Sequence, residues 1–253
     1  MARAYVAGFG GVVASEEPLS SYVGVRVLEL GGNAVDASVA VSFSLAVLVP
    51  HLGGVGGDFF ALIVTPNGVV KALNGSGFSP SRFTRGLLES RGLRGVPERG
   101  ALSIVTPGMV GALYELWRRY GSLEWSRLVR VAASLALGFL APPSLAKAVN
   151  VYSEILVGDE GSRLTYLNPK PTAWEPYRLE GLSRLLGLVA EDPRSFYEGE
   201  IAKAIVEYVQ SRGGVLDLDD MKSYEPTWLE PLRSSYRNWV LYEIPPNSQG
   251  VTT

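Results

Sequence analysis

The residues best suited to chemistry lie in one short stretch, HLGGVGGDFF, at positions 51–60. Four glycines precede Asp58 and two phenylalanines, and His51 is the single histidine of the chain. Glycine is favoured where the backbone needs a positive φ or must approach another group closely. The stretch could therefore bind a phosphate, hold a catalytic carboxylate or form a tight turn.

The context of these glycines argues against a phosphate site. A dinucleotide-binding G-x-G-x-x-G motif follows a strand and opens a helix, whereas here the sixth position counted from Gly54 is Phe59. A Walker A loop requires a lysine directly after its last glycine, and none is present here. A turn between a helix and a strand remains, with Asp58 either a general base or an acceptor for backbone amides. His51 shows no sequence partner of the kind that a catalytic base needs.

Composition excludes several other kinds of site. The chain has no cysteine and one histidine, so thiolate chemistry and a multi-histidine metal site are both excluded. Asp217, Asp219 and Asp220 suggest a calcium loop, but Lys222 and Trp228 occupy the positions where that loop needs glycine and glutamate. A net charge of −2 gives no general attraction to nucleic acid. We expect no metal, no cofactor and no nucleic-acid partner.

Two segments bear on cellular location. The first 18 residues lack the long apolar segment of a signal peptide. The longest apolar run, residues 37–49, is too short to span a bilayer and is typical of a buried helix. We therefore expect a cytoplasmic protein without a membrane-spanning segment.

The elements around the glycines can be predicted from caps and periodicity. Asn33, with Asp36 three residues later, is typical of the start of a helix, and Pro50 ends the apolar run that follows. The runs FFALIV and GVVKAL predict a hairpin across residues 65–68. Elsewhere we expect a strand at 12–15, a helix capped by Ser20 or Ser21, helices opened by Pro107 and capped by Ser122, and exposed loops at 81–104 and 157–176.

Taken together, the segments resemble the γ-glutamyltranspeptidase family. The segment LGGNAVDASVAVSFSLAVLVPHLGGVGGDFFALIV is similar to the family's GGNAVDAAVA block, apolar helix, glycine cluster and strand. The similarity continues, in the family's order, through TPGMVGALYELWRRYG, AASLALGF, SFYEGEIAKAIVEYVQSRGGVLDLDDMKSYEP and YRNWVLYEIPPNSQG. The resemblance implies an α+β, N-terminal nucleophile hydrolase-like fold. Residues 1–253 would then be a single domain portion, from the large subunit, of a four-layer αββα sandwich.

The resemblance also implies a mechanism and a partner. The family's precursor, a zymogen, cuts itself into two subunits, and a threonine becomes the first residue of the small one. Its hydroxyl attacks a γ-glutamyl amide such as glutathione while its own α-amino group acts as the base. Because this chain stops at PPNSQGVTT, and Thr252 and Thr253 match no nucleophile motif, we expect no catalytic residue within it. A small subunit, or the remainder of the precursor, would supply the threonine.

Three residues are candidates for binding the substrate. The family holds the substrate α-carboxylate with an arginine after the first hairpin, and Ser76 of the stretch NGSGFSP occupies that place here. A hydroxyl cannot replace a guanidinium that binds a carboxylate bidentately. We therefore expect Ser76 and Asn74 to meet a γ-glutamyl or related acyl-amide substrate, as in relatives that resemble acylases. Arg82, with Arg85, could supply the missing charge, although both suit solvated surface positions.

A second interpretation comes from a different class of protein. The chain could be a non-catalytic truncated relic, or a structural partner of a separately encoded small subunit. The DNA downstream would distinguish the two, because an enzyme requires a coding segment with the nucleophilic threonine. In the enzyme interpretation the glycines of residues 53–57 form a structural turn that lets the backbone pack tightly near the site.

Overall fold

The computed structural model describes residues 5–252 and contains both helices and short antiparallel strands. The helices are α1 (Pro18–Glu29), α2 (Ala34–Leu48), α3 (Arg85–Ser90), α4 (Met109–Tyr120), α5 (Trp125–Ala136), α6 (Pro143–Val151), α7 (Ser153–Val157), α8 (Glu160–Tyr166), α9 (Glu180–Glu191), α10 (Ser195–Glu198), α11 (Glu200–Ser211) and α12 (Leu218–Lys222). The strands are β1 (Phe59–Val64), β2 (Val70–Gly75), β3 (Phe139–Leu140), β4 (Pro176–Tyr177), β5 (Thr227–Leu229), β6 (Leu232–Tyr236) and β7 (Trp239–Glu243).

The chain forms two compact units, each built from two separate stretches of sequence. In the described chain the first unit comprises residues 5–55 and 117–191, and the second comprises residues 56–116 and 192–252. Helix α4 contributes residues to both. That residues 1–253 form a single domain portion of a larger protein stays a prediction.

Helix α2 forms the centre of the first unit, as its sequence predicts. Asn33 accepts hydrogen bonds from the amides of Val35 and Asp36, and the Asp36 carboxylate accepts one from the Asn33 amide, which completes a capping box. The side chains of Val39, Phe43 and other residues on several faces are buried. A helix that is apolar all round is stable only when it is enclosed. The predicted buried helix is therefore confirmed.

The Asp36 carboxylate also fixes the start of α5. Asp36 is completely buried, and its oxygens accept hydrogen bonds from the amide of Ser122 at 3.0 Å, the hydroxyl of Ser122 at 2.5 Å and the amide of Leu123 at 3.2 Å. The prediction that Ser122 caps the next helix is wrong, because its hydroxyl is already donated to Asp36 and the helix begins three residues later, at Trp125.

Aromatic side chains complete the core of this unit. The indole nitrogen of Trp125 donates to the carbonyl of Val189 at 2.8 Å, which links α5 to α9. The Trp125 ring meets Phe43 of α2 edge to face, with centroids 5.7 Å apart. A buried indole N–H needs such an acceptor, and here the acceptor is a helix carbonyl.

A three-stranded antiparallel sheet of order β1-β2-β5 anchors the second unit. Phe59 pairs with Gly75 and Val64 with Val70, so β1 and β2 form the predicted hairpin. Its turn is closed by the Gly68 amide, which donates to the carbonyl of Thr65 at 2.8 Å, and Gly68 has a φ of +78°. Strand β5 joins the other edge of β2, with Asn74 opposite Thr227.

The end of β2 lies against the first turn of α4 through backbone contacts. A Cβ atom built at Gly108 would lie 2.0 Å from the carbonyl oxygen of Gly75, so glycine is required at that position. The carbonyl of Gly57 accepts hydrogen bonds from the amides of Gly108 at 3.0 Å and Met109 at 2.9 Å. These bonds satisfy two amides at the helix start, and α4 therefore begins at Met109 rather than directly after Pro107.

The glycine cluster has a different structural role from the predicted one. A Cβ atom built at Gly53, Gly54 or Gly56 would meet no described atom within 4 Å. The prediction that these glycines allow tight packing is therefore wrong for those three positions. The close approach occurs instead at Gly75 and Gly108.

Other differences from the sequence predictions lie in short elements. Residues 12–15 form no strand, and the carboxylate of Glu17, not a serine, caps α1 by accepting the amides of Leu19 and Ser20. The segments predicted as loops contain α3 and α8, each begun by a polar cap: Thr84 accepts from Leu87 and Asp159 from Ser162. Helices of one to two turns are too short for hydrophobic periodicity to reveal them.

Candidate functional site

Asn74 and Ser76, two of the predicted substrate-binding residues, lie together where β2 ends. The side-chain oxygen of Asn74 accepts hydrogen bonds from the Ser76 amide at 2.9 Å and from the Ser76 hydroxyl at 2.8 Å. This is the local turn that asparagine forms with the backbone two residues on. The turn holds the Ser76 hydroxyl in one direction.

Asn247 joins these two residues from the far end of the sequence. The Asn74 amide group donates to the Asn247 oxygen at 2.9 Å, and the Asn247 amide group donates to Ser76 Oγ at 2.9 Å. Ser76 Oγ also lies 3.1 Å from the Asn247 oxygen, but its single proton is directed to the closer acceptor on Asn74. The three side chains close a ring of hydrogen bonds, which we call the Asn74–Ser76–Asn247 cluster.

Asp58 places a negative charge beside this cluster. Its carboxylate accepts a hydrogen bond from the amide of Gly77, the residue after Ser76, at 3.3 Å. Of the two interpretations of Asp58, this contact favours an acceptor for backbone amides, although the amide belongs to the loop after β2. Burial, with the charge of Asp58, raises the pKa of the Tyr224 phenol above its ordinary value. Tyr224 therefore stays protonated at neutral pH.

Two tyrosines hold the first turn of α4 behind the cluster. Tyr197 donates its hydroxyl proton to the carbonyl of Pro107 at 3.0 Å and accepts the amide of Gly111 at 2.8 Å. Tyr224 donates to the carbonyl of Gly108 at 3.0 Å, and the two rings are stacked with centroids 5.3 Å apart. Burial raises the pKa of Tyr197, so both hydroxyls remain donors. Through the contact of Gly108 with Gly75, this support extends to the residue before Ser76.

Arg82, the third candidate, is not brought into this cluster. Its side chain is exposed, and Arg85 forms an exposed ion pair with Glu89 at 2.8 Å. Within residues 5–252, neither arginine donates a hydrogen bond to Asn74, Ser76 or Asn247. The side chains that contact Ser76 Oγ are thus uncharged amides.

The other candidates from the sequence have structural partners. Asp217 and Asp220 form the capping box of α12, and Asp220 also accepts the amide of Ser81 at 2.8 Å. The described part of the chain contains no group of three acidic, histidine or cysteine residues that could hold a metal ion. His51 is largely exposed. The partial desolvation of its ring lowers the pKa of His51, and this effect outweighs the charge of Glu16, which raises the pKa.

None of the helices in residues 5–252 combines the length and the apolar character needed to cross a membrane.

Comparison with solved structures defines the class of the fold. The chain is similar to γ-glutamyltranspeptidase from Helicobacter pylori, with a TM-score of 0.93 and 28% identity over 98% of this chain and 74% of that chain. It is also similar to cephalosporin acylase from Bacillus halodurans, with a TM-score of 0.87 and 32% identity over 97% of this chain and 49% of that chain. The fold is α+β and of the N-terminal nucleophile hydrolase type, which confirms the predicted fold class.

The sequence comparisons identify the family within that class. The model for the family described as Gamma-glutamyltranspeptidase matches residues 20–253. The chain therefore belongs to the γ-glutamyltranspeptidase family. A curated relative, the glutathione hydrolase-like YwrD proenzyme of Bacillus subtilis (strain 168), is 37% identical over 253 residues, which are 98% of this chain and 48% of that protein. The chain spans about half the length of the curated relatives that it matches.

Asn247 is the site residue that the sequence did not reveal. It lies 171 positions from Ser76, and no local pattern couples the two. The one available signal was the segment PPNSQG, which is part of the resemblance to the family but carries no assigned role in the sequence.

Proposed function

We propose that this chain is part of the large subunit of a γ-glutamyltranspeptidase-like amide hydrolase or acyl transferase. Membership of the family supports the reaction class. The partial coverage of relatives that are described as proenzymes supports a catalytic threonine outside this chain, in a small subunit or in the remainder of a precursor. The substrates are γ-glutamyl compounds such as glutathione, or related acyl amides, and the complete protein acts in the cytoplasm.

In this proposal the chain binds the acyl part of the substrate and does not break the bond. The threonine hydroxyl adds to the amide carbonyl, its proton passes to the threonine's own amino group, and the departing amine receives that proton. Water or an acceptor amine then takes the acyl group from the resulting ester. The Asn74–Ser76–Asn247 cluster would hold the end of the acyl chain that lies away from the reacting carbonyl.

The observation that carries the substrate assignment is that the side chains of Asn74 and Asn247, and no cationic side chain of the described residues, hydrogen-bond to Ser76 Oγ. A charge-assisted hydrogen bond contributes about 1.5–3 kcal/mol, roughly twice the contribution of a neutral one. Without a guanidinium at this place, the binding energy available to a γ-glutamyl carboxylate is reduced, so we favour acyl amides of the kind that acylases cleave. The cephalosporin acylase similarity agrees with this preference.

The proposal is tested with the complete protein made from its native gene. Release of nitroaniline from γ-glutamyl and simple acyl anilides should be measurable. It should be abolished when the threonine that starts the second polypeptide is replaced by alanine. If no second polypeptide forms and no anilide is cleaved, the chain is better explained as a non-catalytic relic or a structural partner.

A further inference from the structure

The Asn74–Ser76–Asn247 cluster has unused hydrogen-bonding capacity. Each asparagine amide group has two N–H bonds, and the ring uses one of them on Asn74 and one on Asn247. The Ser76 proton is committed to the Asn74 oxygen. Asn247 is exposed and Ser76 is partly exposed, so a ligand could reach the second N–H of Asn247 and its oxygen.

Asn247 is held in place by its own segment. Ile244 is buried, the hydroxyl of Ser248 donates to the carbonyl of Ile244 at 2.7 Å, and the amide of Ser248 donates to the carbonyl of Pro245 at 3.2 Å. These bonds form a turn directly after β7. The side-chain amide of Asn247 is therefore oriented both by this turn and by the hydrogen bonds of the Asn74–Ser76–Asn247 cluster. A side chain that selects between ligands must be held in one orientation in this way.

The charges around the cluster discriminate between ligands. A carboxylate would find neutral N–H donors, but it would also be repelled by the carboxylate of Asp58, which accepts the amide of Gly77, the residue after Ser76, at 3.3 Å. A carboxamide or a hydroxyl both donates and accepts hydrogen bonds, and neither is repelled by Asp58. Polar sites that hydrogen-bond a neutral group discriminate strongly against analogues that leave the site unpaired.

We propose that Asn247 is a specificity-determining residue. With Asn74 and Ser76, it binds an uncharged carboxamide or hydroxyl at the far end of the acyl chain and selects against a carboxylate there. This inference rests on the function proposed above, and it names the acyl class that the same site takes.

The test uses the complete enzyme and three anilides that differ in the group at the end of the acyl chain. The carboxamide is the 4-carbamoylbutanoyl anilide, the carboxylate is the glutaryl anilide, and the apolar reference is the pentanoyl anilide. We expect kcat/KM for the carboxamide to exceed that for the carboxylate at least tenfold. Asn247→Ala should lower kcat/KM for the carboxamide about two- to tenfold, the range for a lost neutral hydrogen bond, mainly through KM.

Two further results separate specificity from structure. The pentanoyl anilide should be cleaved equally by Asn247→Ala and the unmodified enzyme, and Gln249→Ala, at an exposed position two residues away, should leave all three substrates unchanged. A preference for the carboxylate in the unmodified enzyme would overturn the inference. So would an equal loss for all three anilides in Asn247→Ala.

A binding measurement distinguishes this inference from the proposed function. Pentanediamide and glutarate are titrated into the complete protein and followed by ligand-observed NMR. Tighter binding of the diamide, weakened by Asn247→Ala, would support the site even if no anilide were cleaved, in which case the proposed reaction alone would be wrong. Equal or tighter binding of glutarate would reject the site itself.

Discussion

Ser76 is the residue on which the proposed substrate preference depends. Its hydroxyl hydrogen-bonds to the side chains of Asn74 and Asn247, and no arginine of the described chain donates to these groups. The resemblance to the family singled out Asn74 and Ser76, which lie in one short stretch of the sequence. It could not predict Asn247, since tertiary folding alone brings a residue 171 positions away into contact. The sequence favoured a solvated surface position for Arg82, and its side chain is exposed and lies outside the cluster.

An arginine at position 76 should increase the preference for γ-glutamyl substrates. We expect Ser76→Arg in the complete enzyme to shift the ratio of kcat/KM toward γ-glutamyl anilide and away from 4-carbamoylbutanoyl anilide. A charge-assisted pair of about 1.5–3 kcal/mol corresponds to roughly a tenfold to hundredfold shift. Ser79→Arg is the matched control, because it adds the same charge at an exposed position three residues away. An unchanged ratio in Ser76→Arg would show that Ser76 does not face the acyl chain.

At the scale of elements, backbone contact between β2 and α4 positions the cluster. The sequence predicted α2 and the β1–β2 hairpin well, because each has a strong local signal: a capping box before an apolar run, and a turn between two apolar strands. The predicted starts of α4 and α5 were wrong because the residues that bind their first turns are distant in the sequence. The side chain of Ser122 bonds to Asp36, and the amides of Gly108 and Met109 bond to Gly57, so both helices begin later than their local sequences indicate.

The contact between β2 and α4 can be tested with a single methyl group. Gly108→Ala would place a Cβ atom 2.0 Å from the backbone oxygen of Gly75, which cannot move independently of the sheet. We expect the free energy of unfolding to fall by about 2–3 kcal/mol, the upper range for overpacking. Gly54→Ala, where the added methyl has open space, should change it by less than about 1 kcal/mol. Denaturant unfolding of the complete protein measures the free energy of unfolding of each variant. Equal losses in Gly108→Ala and Gly54→Ala would contradict a tight contact between Gly108 and Gly75.

The small sheet of the first unit should be sensitive to alkali. Tyr177 of β4 donates its hydroxyl to the carbonyl of Thr165 at 2.6 Å, and burial, with Tyr166 nearby, raises its pKa to about 12. A raised folded-state pKa means that stability is fully present below pH 10 and is lost as the pH rises from about 10 to 12. Tyr177→Phe should flatten this part of the stability curve, and Tyr152→Phe, at an exposed tyrosine, should not. If stability falls equally between pH 10 and 12 in the unmodified protein, Tyr177→Phe and Tyr152→Phe, the raised pKa does not belong to Tyr177.

At the scale of the whole molecule, the β6–β7 hairpin exposes apolar side chains that a larger protein would cover. Trp239 is 74% exposed and Tyr236 is 63% exposed, and β7 reads Trp-Val-Leu-Tyr, a continuous apolar run typical of a strand covered on both faces. An isolated two-stranded hairpin has little stability of its own in water. If the function proposed above is correct, we expect the remainder of the precursor to cover this hairpin.

The 253-residue chain alone should therefore associate and should be inactive. Exposed apolar strands promote edge-to-edge association, and the proposed nucleophile lies outside the chain. Light scattering after size-exclusion chromatography should show oligomers. Exchanging Trp239 and Leu241 for threonine should reduce them more than the same exchange at Val151 and Val157, which are exposed elsewhere. A monodisperse monomer that cleaves γ-glutamyl anilide would contradict both expectations.

The central claim is that this chain belongs to an enzyme whose nucleophile is created by cutting a precursor. Intact-mass spectrometry of the protein made from its native locus, with N-terminal sequencing of each species, tests it most directly. We predict two polypeptides: a larger one that contains the present sequence and a smaller one whose first residue is threonine. A single uncut polypeptide, or a second one that begins with a residue unable to act as a nucleophile, would contradict the account.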